Sequence, residues 1–176
     1  MKTLGVISDT HIPSLNSSIP PELTRIFKGV DFIIHAGDIE SLQAVEELEE
    51  IAPVIAVSGN MCNTRVRQKY PTQQILHFEG VKIGLTHGGG RNTGSPSKIR
   101  SIFSPEKPDI IIFGHTHQPM AEIINDTLFL NPGSPTKPNA PPPKPGFLKP
   151  IARPTVITLN IDENDILSTF IITLQL

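Results

Sequence analysis

Three carboxylate or amide oxygens and four imidazoles stand in this 176-residue chain where they could serve one site, on Asp9, His11, Asp38, Asn60, His87, His115 and His117. Histidine is the commonest metal ligand, and Asp and Asn supply hard oxygens. With no thiolate among them, the mixture suits manganese, nickel, iron or zinc better than calcium or magnesium, whose sites are mostly oxygen. Seven side chains exceed what one ion accepts. Two divalent ions are therefore implied, manganese first among them, and a shared carboxylate would hold them roughly 3.5–4 Å apart. Asp38 is the best bridge. Against four positive charges, Asp9 and Asp38 set two negative ones. The surplus invites an anion such as a phosphate group and holds a bridging hydroxide at neutral pH.

The elements that must position these groups are legible in the apolar pattern. Five apolar segments each run directly into a candidate ligand: LGVIS into Asp9-Thr10-His11, DFIIHAG into Asp38, PVIAVSG into Asn60, KIGLT into His87, and DIIIFG into His115-Thr116-His117. Such β-branched runs predict buried strands, and ligands in α/β sheets collect beyond the carboxyl ends of the strands. Extended backbone would put His115 and His117 on one side with Thr116 turned away, while Gly114 lets the chain bend without a Cβ clash. Between the strands, Ser18-Ile19-Pro20-Pro21 introduces a short helix to about Lys28. Ser41 is the expected N-cap of a helix from Leu42 to Ile51, and Ser95-Pro96 opens another to about Phe103. Glu46, Glu47, Glu49 and Glu50 read as a solvated helix face. AEII, TLFLN, TVITLNI and ILSTFIITL, with turns at Asn125-Asp126 and Glu163-Asn164-Asp165, predict a β-meander closing a second sheet.

Composition narrows the class. A chain of 176 residues fits one domain that buries roughly two-thirds of its unfolded surface. The single cysteine, Cys62, excludes an internal disulfide framework and a Cys-rich zinc knuckle. The start MKTLGVISDTH lacks a long apolar signal region, and no run approaches the ~20 apolar residues of a membrane span, so the expectation is a soluble, cytoplasmic protein. A formal charge of −2 removes the usual footprint of a nucleic-acid binder. Half of the 18 prolines lie between Pro132 and Pro154, around Pro141-Pro142-Pro143, and the charges there are Lys137, Lys144, Lys149 and Arg153. This is an extended loop, either a basic lid, a docking strip or a plain solvent loop.

Asp9-x-His11, Gly37-Asp38, Gly59-Asn60, His87, Gly114-His115-Thr116-His117 and Asn131-Pro132-Gly133-Ser134 together resemble the calcineurin-like metallophosphoesterases. The nearest group looks like the small phosphodiesterases that resemble the retromer subunit Vps29, and the match covers nearly the whole chain. The resemblance implies an α/β fold of two facing mixed β-sheets sandwiched between helices, a single domain over 1–176, and a proline-rich basic insertion at about 135–154. It implies hydrolysis of a small phosphoester, most simply a phosphodiester, by in-line attack of the bridging hydroxide. Carried over by position, Asp9, His11, Asp38 and His117 hold one ion, and Asp38, Asn60, His87 and His115 the other. Asn60 and His115 are read as catalytic as well as ligating, with Asn60 close to the phosphate. Relatives often carry a leaving-group histidine where this chain has Met61, an acidic residue where it has Cys62, and a His-Gly-His where it reads His87-Gly88-Gly89. The alternative reading is a protein-binding scaffold like Vps29. Small members of the family often pair, so a homo-oligomer is a further expectation.

Other reactive residues take ordinary roles. His35, inside its strand, reads as a hydrogen-bonded core imidazole, His77 as a surface residue and Cys62 as an inert thiol. Arg65 and Arg67 are expected in solvent. Arg91, after the His87 loop, is the candidate for bidentate phosphate contact.

Overall fold

Each of the five apolar runs forms a strand in the computed structural model, which describes residues 1–88, 95–140 and 150–175. The described elements are β1 (Lys2–Ile7), α1 (Glu22–Ile26), β2 (Phe32–His35), α2 (Leu42–Glu49), β3 (Val54–Ala56), α3 (Thr64–Lys69), β4 (Gln73–Phe78), β5 (Val81–Thr86), α4 (Pro96–Ile102), β6 (Ile110–Ile112), β7 (Pro119–Ile124), β8 (Thr127–Pro132), β9 (Thr155–Asp162) and β10 (Asp165–Thr173). They build two five-stranded sheets, ordered β10-β9-β1-β2-β3 and β4-β5-β6-β8-β7. Both are mixed: β1, β2 and β3 run parallel while β9 lies antiparallel to β1, and β5, β6 and β8 run parallel while β4 and β7 are antiparallel.

The two-residue period of a strand explains the layers. Leu4 and Val6 of β1, Ile34 of β2, and Ile110 and Ile112 of β6 point between the sheets and form one core with Ile83, Leu85, Leu130 and Leu159. Their neighbours face outward. Ile7 and Ile33 pack with Leu23, Phe27 and Leu48 of the α1 and α2 region, and Ile111 packs with Ile99 and Phe103 of the α4 region. The result is helix, sheet, sheet, helix. Fully burying a Leu or Ile side chain stabilises by about 1.5–3 kcal/mol, so this double core is what can offset irregular backbone at the strand ends.

The structure departs from or adds to the sequence reading at three points. The final strands do not form one meander. β7 and β8 close the second sheet, but β9 pairs with β1 in register Leu4 to Leu159 and carries β10 into the first sheet. Left-handed residues at Asn125 and Asp126, and again at Glu163 and Asn164, make the tight turns that the sequence marks, yet a turn fixes a hairpin and not the sheet it joins. Helix α3 was not anticipated; Asn63 caps it, accepting from the Val66 N–H at 3.0 Å. Ser41 is the N-cap residue of α2, as expected, but its side chain makes no cap hydrogen bond, the hydroxyl donating to the Ile12 carbonyl at 3.0 Å. Of the proline-rich stretch, residues 141–149 lie outside the described residues, as do Gly89 and Arg91. No described helix is long and apolar enough to cross a membrane.

Candidate metal centre

The carboxyl ends of β1, β2 and β3 in one sheet meet those of β5 and β6 in the other, and all seven candidate ligands come together there. Asp9 Oδ1 lies 3.3 Å from His117 Nε2 and 4.0 Å from His11 Nε2. Asp38 Oδ2 lies 3.2 Å from His87 Nε2, while Asn60 Oδ1 is 3.2 Å from that nitrogen and 3.1 Å from His115 Nδ1. Two triads suited to an ion result, Asp9-His11-His117 and Asp38-His87-His115. Asp38 Oδ2 spans them, 3.9 Å from His11 Nε2. Asp9 Oδ1 also stands 3.9 Å from His87 Nε2, but it is partly engaged by the His115 N–H at 3.2 Å. Asp38 Oδ2 faces imidazole nitrogens alone, which favours it as the shared carboxylate.

Backbone conformation explains the convergence better than strand alternation does. Asp9, His11, Asp38, His115 and His117 all have positive φ, between 48° and 70°. For residues other than glycine each such conformation costs of order 1–3 kcal/mol and persists where surrounding structure over-determines it. The expectation that His115 and His117 share one face of an extended strand therefore fails. β6 ends at Ile112, and the two histidines leave a left-handed loop toward different triads. Gly114 permits the close approach, because a Cβ there would stand 2.8 Å from Asp9 Oδ2 and 2.9 Å from the Ala36 carbonyl.

Hydrogen bonds fix the tautomers. His11 Nδ1–H donates to Glu40 Oε1 at 2.9 Å, His87 Nδ1–H to the Ala36 carbonyl at 2.8 Å, and His117 Nδ1–H to the Lys137 carbonyl at 2.6 Å. Each ring thus turns an Nε2 lone pair inward. His11 Nε2 and His117 Nε2 face each other across 3.3 Å, an arrangement that needs a proton or a metal ion between the two nitrogens. Protons feel the same field. Burial opposes charge on His87 and His117, yet the hydrogen bond of His87 with Asp38 and that of His117 with Asp9 raise both above the ordinary imidazole value. Burial likewise disfavours ionised Asp38, but His87 and the Met61 N–H hold its carboxyl below the usual range. His115 is lowered, first by burial and then by the charge of His87. Among the described residues, Asp9, Asp38 and Glu40 have no Lys or Arg within ion-pair distance; their partners are histidines. Buried carboxylates without a cation are costly, so the donor set fits divalent metal.

The supporting residues were largely invisible in the sequence. Glu40, 8% exposed, holds His11 and accepts from the Ser14 N–H at 3.1 Å. Only its spacing two residues after Asp38 could have hinted at this. Glu40→Gln is expected to weaken metal binding about 10–100-fold, the usual effect of losing a carboxylate behind a ligating histidine. Calorimetric titration with manganese reads that loss, and an unchanged affinity refutes the role. Arg67 is exposed, as expected, and from the surface it donates to the Asn60 carbonyl at 2.7 Å and the Cys62 carbonyl at 2.8 Å, bracing the turn that carries Asn60. Cys62 is buried, its Sγ accepting from the Gly59 N–H. The Asn131-Pro132-Gly133-Ser134 run is a buttress: Asn131 Nδ2 donates to the Gly114 carbonyl at 2.9 Å, and Ser134 Oγ to the Asp9 carbonyl at 2.7 Å. His35 is fully buried. Its Nδ1 accepts from the Gly37 N–H, so Nε2 carries the proton toward Thr10 Oγ1, and burial pushes its pKa down to about 3. It stays neutral and outside both triads, while His77 is exposed on β4.

A cavity of about 300 Å³ opens over the ligands, with Leu15 and Met61 at its lip. Those two side chains are 45% and 54% exposed. A larger cavity of about 500 Å³ beside α4 contains none of the seven candidates.

Comparison with known proteins agrees with this geometry. The sequence profile of the calcineurin-like phosphoesterase superfamily domain matches residues 1–159. A probable metallophosphoesterase of Methanothermobacter thermautotrophicus is 38% identical over 159 residues, 90% of this chain and 86% of that protein. A phosphodiesterase of Methanocaldococcus jannaschii is 29% identical over 146 residues, 74% of this chain and 82% of its own length. Among solved structures, wild-type Vps29 of Entamoeba histolytica complexed with zinc superposes with a TM-score of 0.76, covering 98% of each chain at 23% identity, a likeness of fold.

Proposed function

Because this chain belongs to the calcineurin-like phosphoesterase superfamily, hydrolases of phosphate esters, we propose that it is a phosphodiesterase that works with two divalent ions, manganese foremost and nickel, iron or zinc as substitutes. The relative that carries the phosphodiesterase name supports the diester as substrate. The single observation behind the two-ion reading is the meeting of imidazole nitrogens and carboxylate oxygens with no described Lys or Arg within ion-pair distance. Asp9, His11, Asp38 and His117 would hold one ion, and Asp38, Asn60, His87 and His115 the other. When bound, the ions supply an ionised water near neutral pH and positive charge for the phosphoryl oxygens.

The chain's own residues do the rest. Asn60, exposed at the edge of the cluster, can orient a phosphoryl oxygen with its amide while its Oδ1 faces His87 and His115. Leu15 and Met61 give an apolar lip for one ester arm. The domain is read as spanning 1–176, with the proline-rich basic stretch at about 135–154 as an insertion.

Purified protein should bind two manganese ions per chain by elemental analysis and hydrolyse bis-p-nitrophenyl phosphate. Raised histidine pKa values mean that protons and metal compete for His87 and His117. Below those pKa values a proton must leave before metal enters, so affinity falls as pH falls, by about tenfold per pH unit for each proton released. Absence of turnover with every one of the four metals sinks the diesterase reading.

A further inference from the structure

We propose that Lys137 is a substrate-contacting residue, the cation that meets the phosphate group on the side of its departing oxygen. The inference rests on the phosphoester reading above. Of the described residues around the 300 Å³ cavity, Lys137 alone carries a permanent positive charge. Its backbone is pinned at both ends. The carbonyl accepts from His117 Nδ1 at 2.6 Å, and the N–H donates to Ser134 Oγ at 2.8 Å. The flanking chain is tied to the same wall: Thr136 Oγ1 donates to the Thr10 carbonyl at 2.8 Å, and the Asn139 N–H to the His117 carbonyl at 2.9 Å. A rigid anchor thus projects an exposed, flexible side chain beside the ligands. No described carboxylate lies within 4.0 Å of its ammonium.

The chemistry gives that free cation a role. As the ester P–O bond breaks, its electron pair moves to the leaving oxygen, and charge grows where a positioned donor is most useful. Met61, at the same mouth, has no proton to offer. The Lys137 ammonium has three donors at the same cavity, so it stabilises that oxygen by hydrogen bonding and charge.

Lys137→Met and Lys137→Arg, each checked for two bound ions by elemental analysis, test this on bis-p-nitrophenyl phosphate and on diphenyl phosphate, whose leaving group is poorer. Lys137→Met should lose about threefold on the first and about 30–100-fold on the second, with Lys137→Arg recovering most of the difference. Equal losses on both, or none, overturn the proposal. If the manganese-loaded wild type hydrolyses neither diester, the phosphoester reading fails by itself. Titration with inorganic phosphate then decides Lys137: a Kd about tenfold weaker in Lys137→Met supports the contact, and an unchanged Kd overturns it.

Discussion

Asp38→Asn is expected to lower turnover of bis-p-nitrophenyl phosphate by about 10³-fold or more and to leave one tightly bound ion per chain in place of two. Asn is nearly isosteric. Its Oδ1 can still accept from the Met61 N–H, now 2.7 Å from the carboxylate, so the loop keeps its main local hydrogen bond. What changes is the other atom: Oδ2, 3.2 Å from His87 Nε2 and 3.9 Å from His11 Nε2, becomes an amide nitrogen that cannot ligate. One negative charge then faces up to four positive ones. On the two-ion proposal, the second ion would lose its shared ligand, and the cluster would lose the charge that favours a doubly occupied state. Elemental analysis and steady-state kinetics check this together with a thermal melt showing retained folding. Two ions per chain and a rate within about tenfold of wild type would remove Asp38 from the bridging position.

The candidate ligands were legible because they follow from local pattern. An apolar run that stops at Asp9, Asp38, Asn60, His87 or His115 marks a strand end, and the residue type marks the chemistry. How those ends meet is not local. Alternation gives Leu4 and Val6 a common face but does not say that β9 will pair with β1, or that strands from two sheets supply one site. Supporting contacts are further from view. Little in the sequence marks Glu40 until His11 is 2.9 Å away, and Arg67, exposed as expected, shows its bond to the Asn60 carbonyl only in the fold. The departure from extended backbone at His115 and His117 is the most informative miss. Strained conformations at a site are imposed by neighbours remote in sequence, here Asn131 on the Gly114 carbonyl and Asp9 on the His115 N–H.

Gly59→Ala should be as damaging to the site as removing a ligand, although glycine and alanine differ by one methyl group. A Cβ at this position would overlap Asp38 Oδ1 and stand 2.5 Å from the Asp38 amide nitrogen and 2.8 Å from His87 Cδ2. Neither neighbour can yield cheaply. The Asp38 backbone sits at φ 53°, and the His87 ring is held by the Ala36 carbonyl. Something must move, and the least anchored partner is the Gly59–Cys62 turn, which Arg67 and the Cys62 thiol stabilise from the far side. Forcing a methyl into a packed site costs about 1–3 kcal/mol, so the melting temperature should fall by a few degrees while the fold survives. Displacing the turn draws Asn60 Oδ1 away from His87 and His115, a shift of about 1 Å being enough to cost 10²-fold in rate. Thermal melts, manganese titration and diester turnover read the three consequences separately. A variant with wild-type affinity and rate would show that the approach of this turn to Asp38 does not set the geometry of the centre.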